Sequence, residues 1–137
     1  MLVKYTSKEL DLMARLMRAE ALGDGNLGML MVGNVIVNRC VTRCDIFKNV
    51  SSIYEIVYQS PGGFSGVNSS LFQGRSTSLE QRLAKQCIHG ECFHPATKAL
   101  WFYAPKTDTC SKEFYSQPLS GKYKNHCFYN PKENDCS

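Results

Sequence analysis

No stretch of the chain approaches the roughly 18 consecutive apolar residues that a membrane-spanning helix needs, so no transmembrane segment is expected. The opening run MLVKYTSKELDLMARLMRAE is charged throughout and has no signal-peptide core. The first helix therefore reads as part of the fold, with no export signal. Charge of one sign is scattered rather than massed: 16 Lys and Arg against 12 Asp and Glu leave +4. An anionic polymer is compatible with that balance, but a nucleic-acid surface is not expected. Internal repeats and low-complexity tracts are missing. So is any EF-hand or aspartate-rich loop that would mark a calcium site. No C-x-x-C pair occurs: Cys40 and Cys44 are four apart and Cys87 and Cys92 five apart. With only His89, His94 and His126 beside them, the usual zinc spacings are not met, and no metal centre is expected.

What is there suits one domain spanning 1–137. Apolar content of 43% and aromatic content of 11% suffice for a real core in a chain of 137 residues. Cys40, Cys44, Cys87, Cys92, Cys110, Cys127 and Cys136 are many for a cytosolic chain and odd in number. They read as structural disulfides, buried thiols or cross-linking sites.

Thr6 followed by Glu9 is a capping box, and Leu10, Met13, Ala14, Met17 and Ala21 then recur at helical spacing. Lys8, Asp11, Arg15 and Arg18 project from the other side, towards water. Glu20 does not join them. It lies four residues after Leu16, three after Met17 and seven after Met13, inside the apolar arc. A buried carboxylate costs several kcal/mol unless paired, hydrogen-bonded or protonated. Two explanations fit: a salt bridge or cap to a neighbouring helix, or a general acid whose pKa is raised by a semi-apolar cleft.

GDGNLG, with Gly23, Gly25 and Gly28, is a turn, and NLGMLMVGNVIVNRCV a central buried helix. Asn34 and Asn38 share one side of it, with Arg39 adjacent. They either line the cleft beside Glu20 or bond to loop backbone. Ser52 and Glu55 cap a short third helix, and SPGGFSGVNSSLFQG is a loop anchored by Phe64. SLEQRLAKQCIHGE is a fourth helix with Leu79, Leu83 and Cys87 inward and Gly90 as terminator. KALWFYAP, EFYSQP and NHCFYNP are short aromatic segments stopped by proline. Helices followed by strands predict an α+β fold: a helical lobe with a small antiparallel sheet. The aromatics of the second half (Trp101, Phe102, Tyr103, Phe114, Tyr115, Tyr123, Phe128 and Tyr129) are core by default and also suit sugar faces.

The segments ARLMRAEALGDGNLGMLMVGNVIVNR, IYEIVYQSPGGFSGV, ALWFYAP and KNHCFYNP together resemble the SleB/CwlJ family of cell-wall hydrolases. They follow the family's order and spacing from about Leu10 to Pro131. The beginning and the ending HCFYNPKENDC look closest to the CwlJ branch. The resemblance implies degradation of spore-cortex peptidoglycan during germination, on a fold similar to lysozyme and resuscitation-promoting factors. It puts Glu20 on the family's catalytic glutamate. The implied reaction is lytic transglycosylation between N-acetylmuramic acid and N-acetylglucosamine, with Glu20 as acid and then base.

Support roles implied alongside are substrate contacts from Asn34, Asn38, Phe64, Tyr103 and His126, the last reading as the least buried histidine. A hydrolytic muramidase or glucosaminidase would instead need a second carboxylate about 5–9.5 Å away, for which Asp24, Asp45 and Glu55 are candidates. From another class comes an inactive spore-coat or glycan-binding protein. The resemblance further implies no required cofactor, with calcium dipicolinate as an activator, and a spore-coat protein as a candidate partner. It implies synthesis in the mother cell and deposition at the coat–cortex boundary. Cysteines would not be out of place in a spore coat.

Overall fold

A computed structural model describes residues 1–42, 44, 47, 49–59 and 63–132. Helix α1 spans Ser7–Ala21 behind the Thr6–Glu9 capping box. A 3-10 turn over Leu22–Asp24 leads directly into α2, Gly25–Val41. Helix α3, Ile53–Val57, starts on the Ser52–Glu55 box. The Gly- and Ser-rich segment after it condenses into 3-10 turns at Ser65–Asn68 and Ser70–Phe72. Helix α4, Ser78–Ile88, begins on a third capping box, Thr77 with Glu80, and Gly90 follows it at φ +104°.

Helix α2 is the axis of the molecule. Every residue from Gly28 to Val37 on it is buried, which matches a sequence apolar on nearly all faces. Helices α1 and α4 both pack closely against it at Gly33. A Cβ there would stand 2.6 Å from Cys87 Sγ and 3.0 Å from Met17 Cε. Gly33→Ala is therefore expected to cost about 1–3 kcal/mol through overpacking. A lowered denaturant midpoint at unchanged m-value would register it.

Two expectations about helix faces change. Arg15 and Arg18 do not project into water: they collar the loop after α3. Arg15 Nε donates to Phe72 O at 2.7 Å. Arg18 donates to the carbonyls of Leu71, Gln73, Gly74 and Arg75. Arg18 also pairs with Glu80 at 3.0 Å, and this draws Glu80 inward while Leu79 turns outward, 39% exposed. The pair links α1 to α4 across 62 residues, a contact that spacing within α4 cannot reveal.

The second half forms a four-stranded antiparallel sheet of order β1-β4-β3-β2. The strands are β1 Trp101–Tyr103, β2 Glu113–Phe114, β3 Gln117–Tyr123 and β4 His126–Tyr129. The fold is thus α+β, as the order of segments predicts. EFYSQP is not one strand, however. Tyr115 (φ +51°) and Ser116 (φ +63°) form a tight turn between β2 and β3, the backbone hand that two-residue hairpins favour.

The loop from α4 to β1 is fastened by α2. Asn34 donates to Glu91 O (2.7 Å) and accepts from Phe93 N (2.9 Å). Asn38 donates to the carbonyls of Ala96, Thr97 and Ala99. A disulfide joins Cys110 to Cys127, and Cys44 is disulfide-bonded as well. Cys40, Cys87 and Cys92 are free thiols, and Cys136 lies outside the described residues. Among the described residues no helix is long and apolar enough to cross a membrane.

Candidate active site

Where the C-terminal end of α1 meets the sheet, the chain encloses a cavity of about 430 Å³. Glu20 supplies its acid. Gly63, Phe64 and Ser65 supply one wall, β1 and Ala104 another, and the β2–β3 hairpin contributes Phe114 and Tyr115. Arg39 and His126 complete it.

Glu20 is half-buried in the last turn of α1, as its place in the apolar arc requires. The Ser65 hydroxyl donates to Oε1 at 3.5 Å, and the Gly66 N–H also donates to the carboxyl. Gly66 is needed for that approach: a Cβ there would sit 3.0 Å from the carboxyl carbon. Burial raises the Glu20 pKa above the ordinary glutamate value, and this outweighs the opposing pull of His126 when its ring is protonated, of the two hydrogen bonds and of Arg39. The fold thus favours the protonated acid. Its contribution to stability is complete below the ordinary glutamate range and is lost as pH rises through the raised folded value. Glu20→Gln, which carries no charge to desolvate, is expected to melt above the wild type at pH 8. That gap should close as pH falls towards 4, a trend that thermal scans across pH would follow.

Arg39 is almost fully buried at 4% exposure. Its Nε donates to Leu100 O at 2.7 Å, and its guanidinium lies over Phe64 at 4.5 Å and Phe47 at 4.8 Å. Desolvation brings its pKa down to about 10, with Tyr115 and Glu20 acting in the opposite direction. It stays cationic at neutral pH, and so fixes the Phe64 ring in the wall while placing positive charge near Glu20. Phe64 also stacks on Phe102 at 5.8 Å. Tyr103 offers its ring, 4.8 Å from Phe114, while its hydroxyl is held by Ser111, donating to Oγ and accepting from N–H.

His126 is a correction. It is the buried histidine, 8% exposed, whereas His89 and His94 are exposed. The cause is Asp24, itself 2% exposed, whose Oδ2 meets His126 Nδ1 at 2.6 Å. Asp24 Oδ1 accepts from Asn125 Nδ2 at 2.7 Å.

Glu20, Phe64, Tyr103 and His126 thus line one cavity, while Asn34 and Asn38 do not; their amides are spent on loop backbone. Of the candidate second carboxylates, Asp24 is turned to His126 and Asn125, and Glu55 caps α3. Asp45 lies outside the described residues. Arg39, Ser65, Trp101, Phe102, Phe114 and Tyr115 were not among the expected site residues. Only the unbroken aromatic runs around 101–103 and 114–115 hinted at the last four. Among the described residues no three His, Cys, Asp or Glu side chains converge to hold a metal ion.

One half-buried acid among aromatic side chains, with a buried cation and an imidazole lining the same cavity, is an arrangement that can give and take a proton. The chain belongs to the cell wall hydrolase family, whose model matches residues 23–129. It is 49% identical to the cell wall hydrolase CwlJ of Oceanobacillus iheyensis over 134 residues, 98% of this chain and 94% of that protein. It is 27% identical to a spore cortex-lytic enzyme of Bacillus cereus over 124 residues, 90% of this chain and 45% of that protein. The fold matches the catalytic domain of the Bacillus cereus SleB protein with TM-score 0.74 and 25% identity, covering 93% of each chain. The family match begins three residues past Glu20 and does not include it.

Proposed function

We propose that the protein degrades spore-cortex peptidoglycan during germination as a lytic transglycosylase, with Glu20 as sole acid and base. The observation that carries this is the cavity's charge inventory. Among the described residues lining it, Glu20 is the one carboxyl group, and burial raises its pKa, which favours the protonated form. Glu20 first protonates the glycosidic oxygen between N-acetylmuramic acid and N-acetylglucosamine, and the bond breaks as oxocarbenium character develops at the muramoyl C1. The resulting carboxylate then takes the proton from the muramoyl C6 hydroxyl, whose oxygen closes on C1 to form the 1,6-anhydro ring. Protons balance over the two steps, and water is not consumed. Arg39 and the Ser65 and Gly66 donors stabilise the carboxylate between them. The rings of Phe102, Tyr103 and Tyr115 offer surfaces on which pyranoses pack, with Phe64 held behind them by Arg39.

The scheme needs no cofactor, and calcium dipicolinate would act as an activator outside this chemistry. A place at the coat–cortex boundary, with a coat protein as partner, fits the relatives' spore cortex chemistry. Digestion of isolated cortex followed by mass spectrometry of the fragments tests the reading. Anhydro-muramoyl ends are expected. Reducing ends would instead require a hydrolase with a second carboxylate, and intact cortex would leave a glycan-binding protein without activity.

A further inference from the structure

We infer that Asp24 fixes His126 as the Nδ1–H tautomer, which leaves Nε2 in the cavity as a hydrogen-bond acceptor for a substrate hydroxyl beside Glu20. This rests on the proposed role of Glu20 and assigns the groups next to it.

Three observations carry it. An aspartate carboxylate only accepts, so the 2.6 Å contact from Asp24 Oδ2 to His126 Nδ1 requires the hydrogen on Nδ1. A neutral imidazole so arranged has its lone pair on Nε2. Second, Asp24 cannot swing away. Its other oxygen is occupied by Asn125, and its side chain fills the space where a Cβ on Gly28 would stand. Third, the His126 ring is held edge-on by Phe102 at 5.3 Å while it lines the same cavity as Glu20. Asp24 from the 3-10 turn is in contact with it, and Glu20 from α1, Arg39 from α2, Tyr103 from β1 and Tyr115 from the β2–β3 turn line the same cavity. Lys124 Nζ lies near Gly25, beside Asp24.

The need for an acceptor follows from what surrounds a bound sugar. Arg39 and the Gly66 N–H only donate, the Ser65 hydroxyl is directed at Glu20, and the Tyr103 hydroxyl is held by Ser111. Beside Glu20, the other side-chain acceptor among the described residues lining the cavity is then the hydroxyl of the exposed Tyr115. While Glu20 carries the proton meant for the glycosidic oxygen, His126 Nε2 receives a pyranose hydroxyl and orients the ring. Asp24 acts through His126 and is a positioning residue.

The test is two-bond proton–nitrogen correlation on the full chain with nitrogen-15 histidine at pH 7, for wild type and Asp24→Asn. The wild-type His126 is expected as the neutral Nδ1–H form. In Asp24→Asn the amide N–H donates to Nδ1, which moves the ring proton to Nε2 and turns the acceptor into a donor. The rate of cortex cleavage is expected to fall about 100-fold with the circular dichroism spectrum retained, the scale of losing one preorganised hydrogen-bonding group. A wild-type ring protonated at Nε2 would overturn the inference. So would an Asp24→Asn variant whose proton has moved yet which cleaves within about threefold of wild type.

If Asp24→Asn does not fold, His126→Gln, which can still accept, is expected to cleave at least about tenfold faster than His126→Phe, and equal rates would refute the acceptor role. Glu20→Gln run in parallel separates the two readings. Full activity there would remove Glu20 from the mechanism, whereas the tautomer is read without any substrate.

Discussion

Glu20→Gln is expected to lower the rate of cortex cleavage by about 10²–10⁴-fold, the range in which positioned general acids contribute. The substitution is nearly isosteric. A glutamine Oε1 still accepts from Ser65 Oγ and the Gly66 N–H, so the wall formed by 63–66 stays in place. What disappears is a group able to give a proton to the glycosidic oxygen and take one back. Binding of glycan should survive, because the aromatic walls and Arg39 are untouched. Release of soluble fragments from isolated cortex, compared at saturating substrate, measures the loss. Retained cleavage would make the burial of Glu20 a structural accident.

Arg39→Met carries the largest expected effect on stability, a loss of about 3 kcal/mol. The change leaves Leu100 O without its donor, at about 1–3 kcal/mol for a buried carbonyl. It also removes the guanidinium from the Phe47 and Phe64 rings, each stacking being worth about 0.5–2 kcal/mol. For a chain of this size the melting temperature should drop by about 10 °C. Arg39→Lys should recover little, since an ammonium lacks the planar fork that bonds Leu100 O and stacks on two rings together. With the cation gone, the Glu20 pKa should climb further, shifting the pH dependence of cleavage upward. Calorimetry and a pH–rate profile on the same samples separate the two consequences.

Local signals in the sequence were readable because their causes are local. The Thr6–Glu9 and Ser52–Glu55 boxes start helices with partners three residues away, and the arc that buries Glu20 is a matter of spacing within α1. Strand β3 was not legible. PLSGKY carries little strand propensity, and its extended form depends on pairing with β4, with an irregularity between Leu119 and Gly121. The site was half legible for the same reason. Asp24 sits four residues from Glu20 and reads as a second acid, yet its partner His126 is 102 residues away. Asn34 and Asn38 look equally suited to a cleft or a loop, and only the course of 91–99 across α2 decides for the loop.

The central claim is that Glu20 works without water, and cleavage in heavy-oxygen water tests it most directly. Muramoyl ends released by the wild type should carry no solvent oxygen, because the C6 hydroxyl supplies the attacking atom. One heavy oxygen at each new muramoyl end would mean hydrolysis, and would contradict the single-carboxylate mechanism outright.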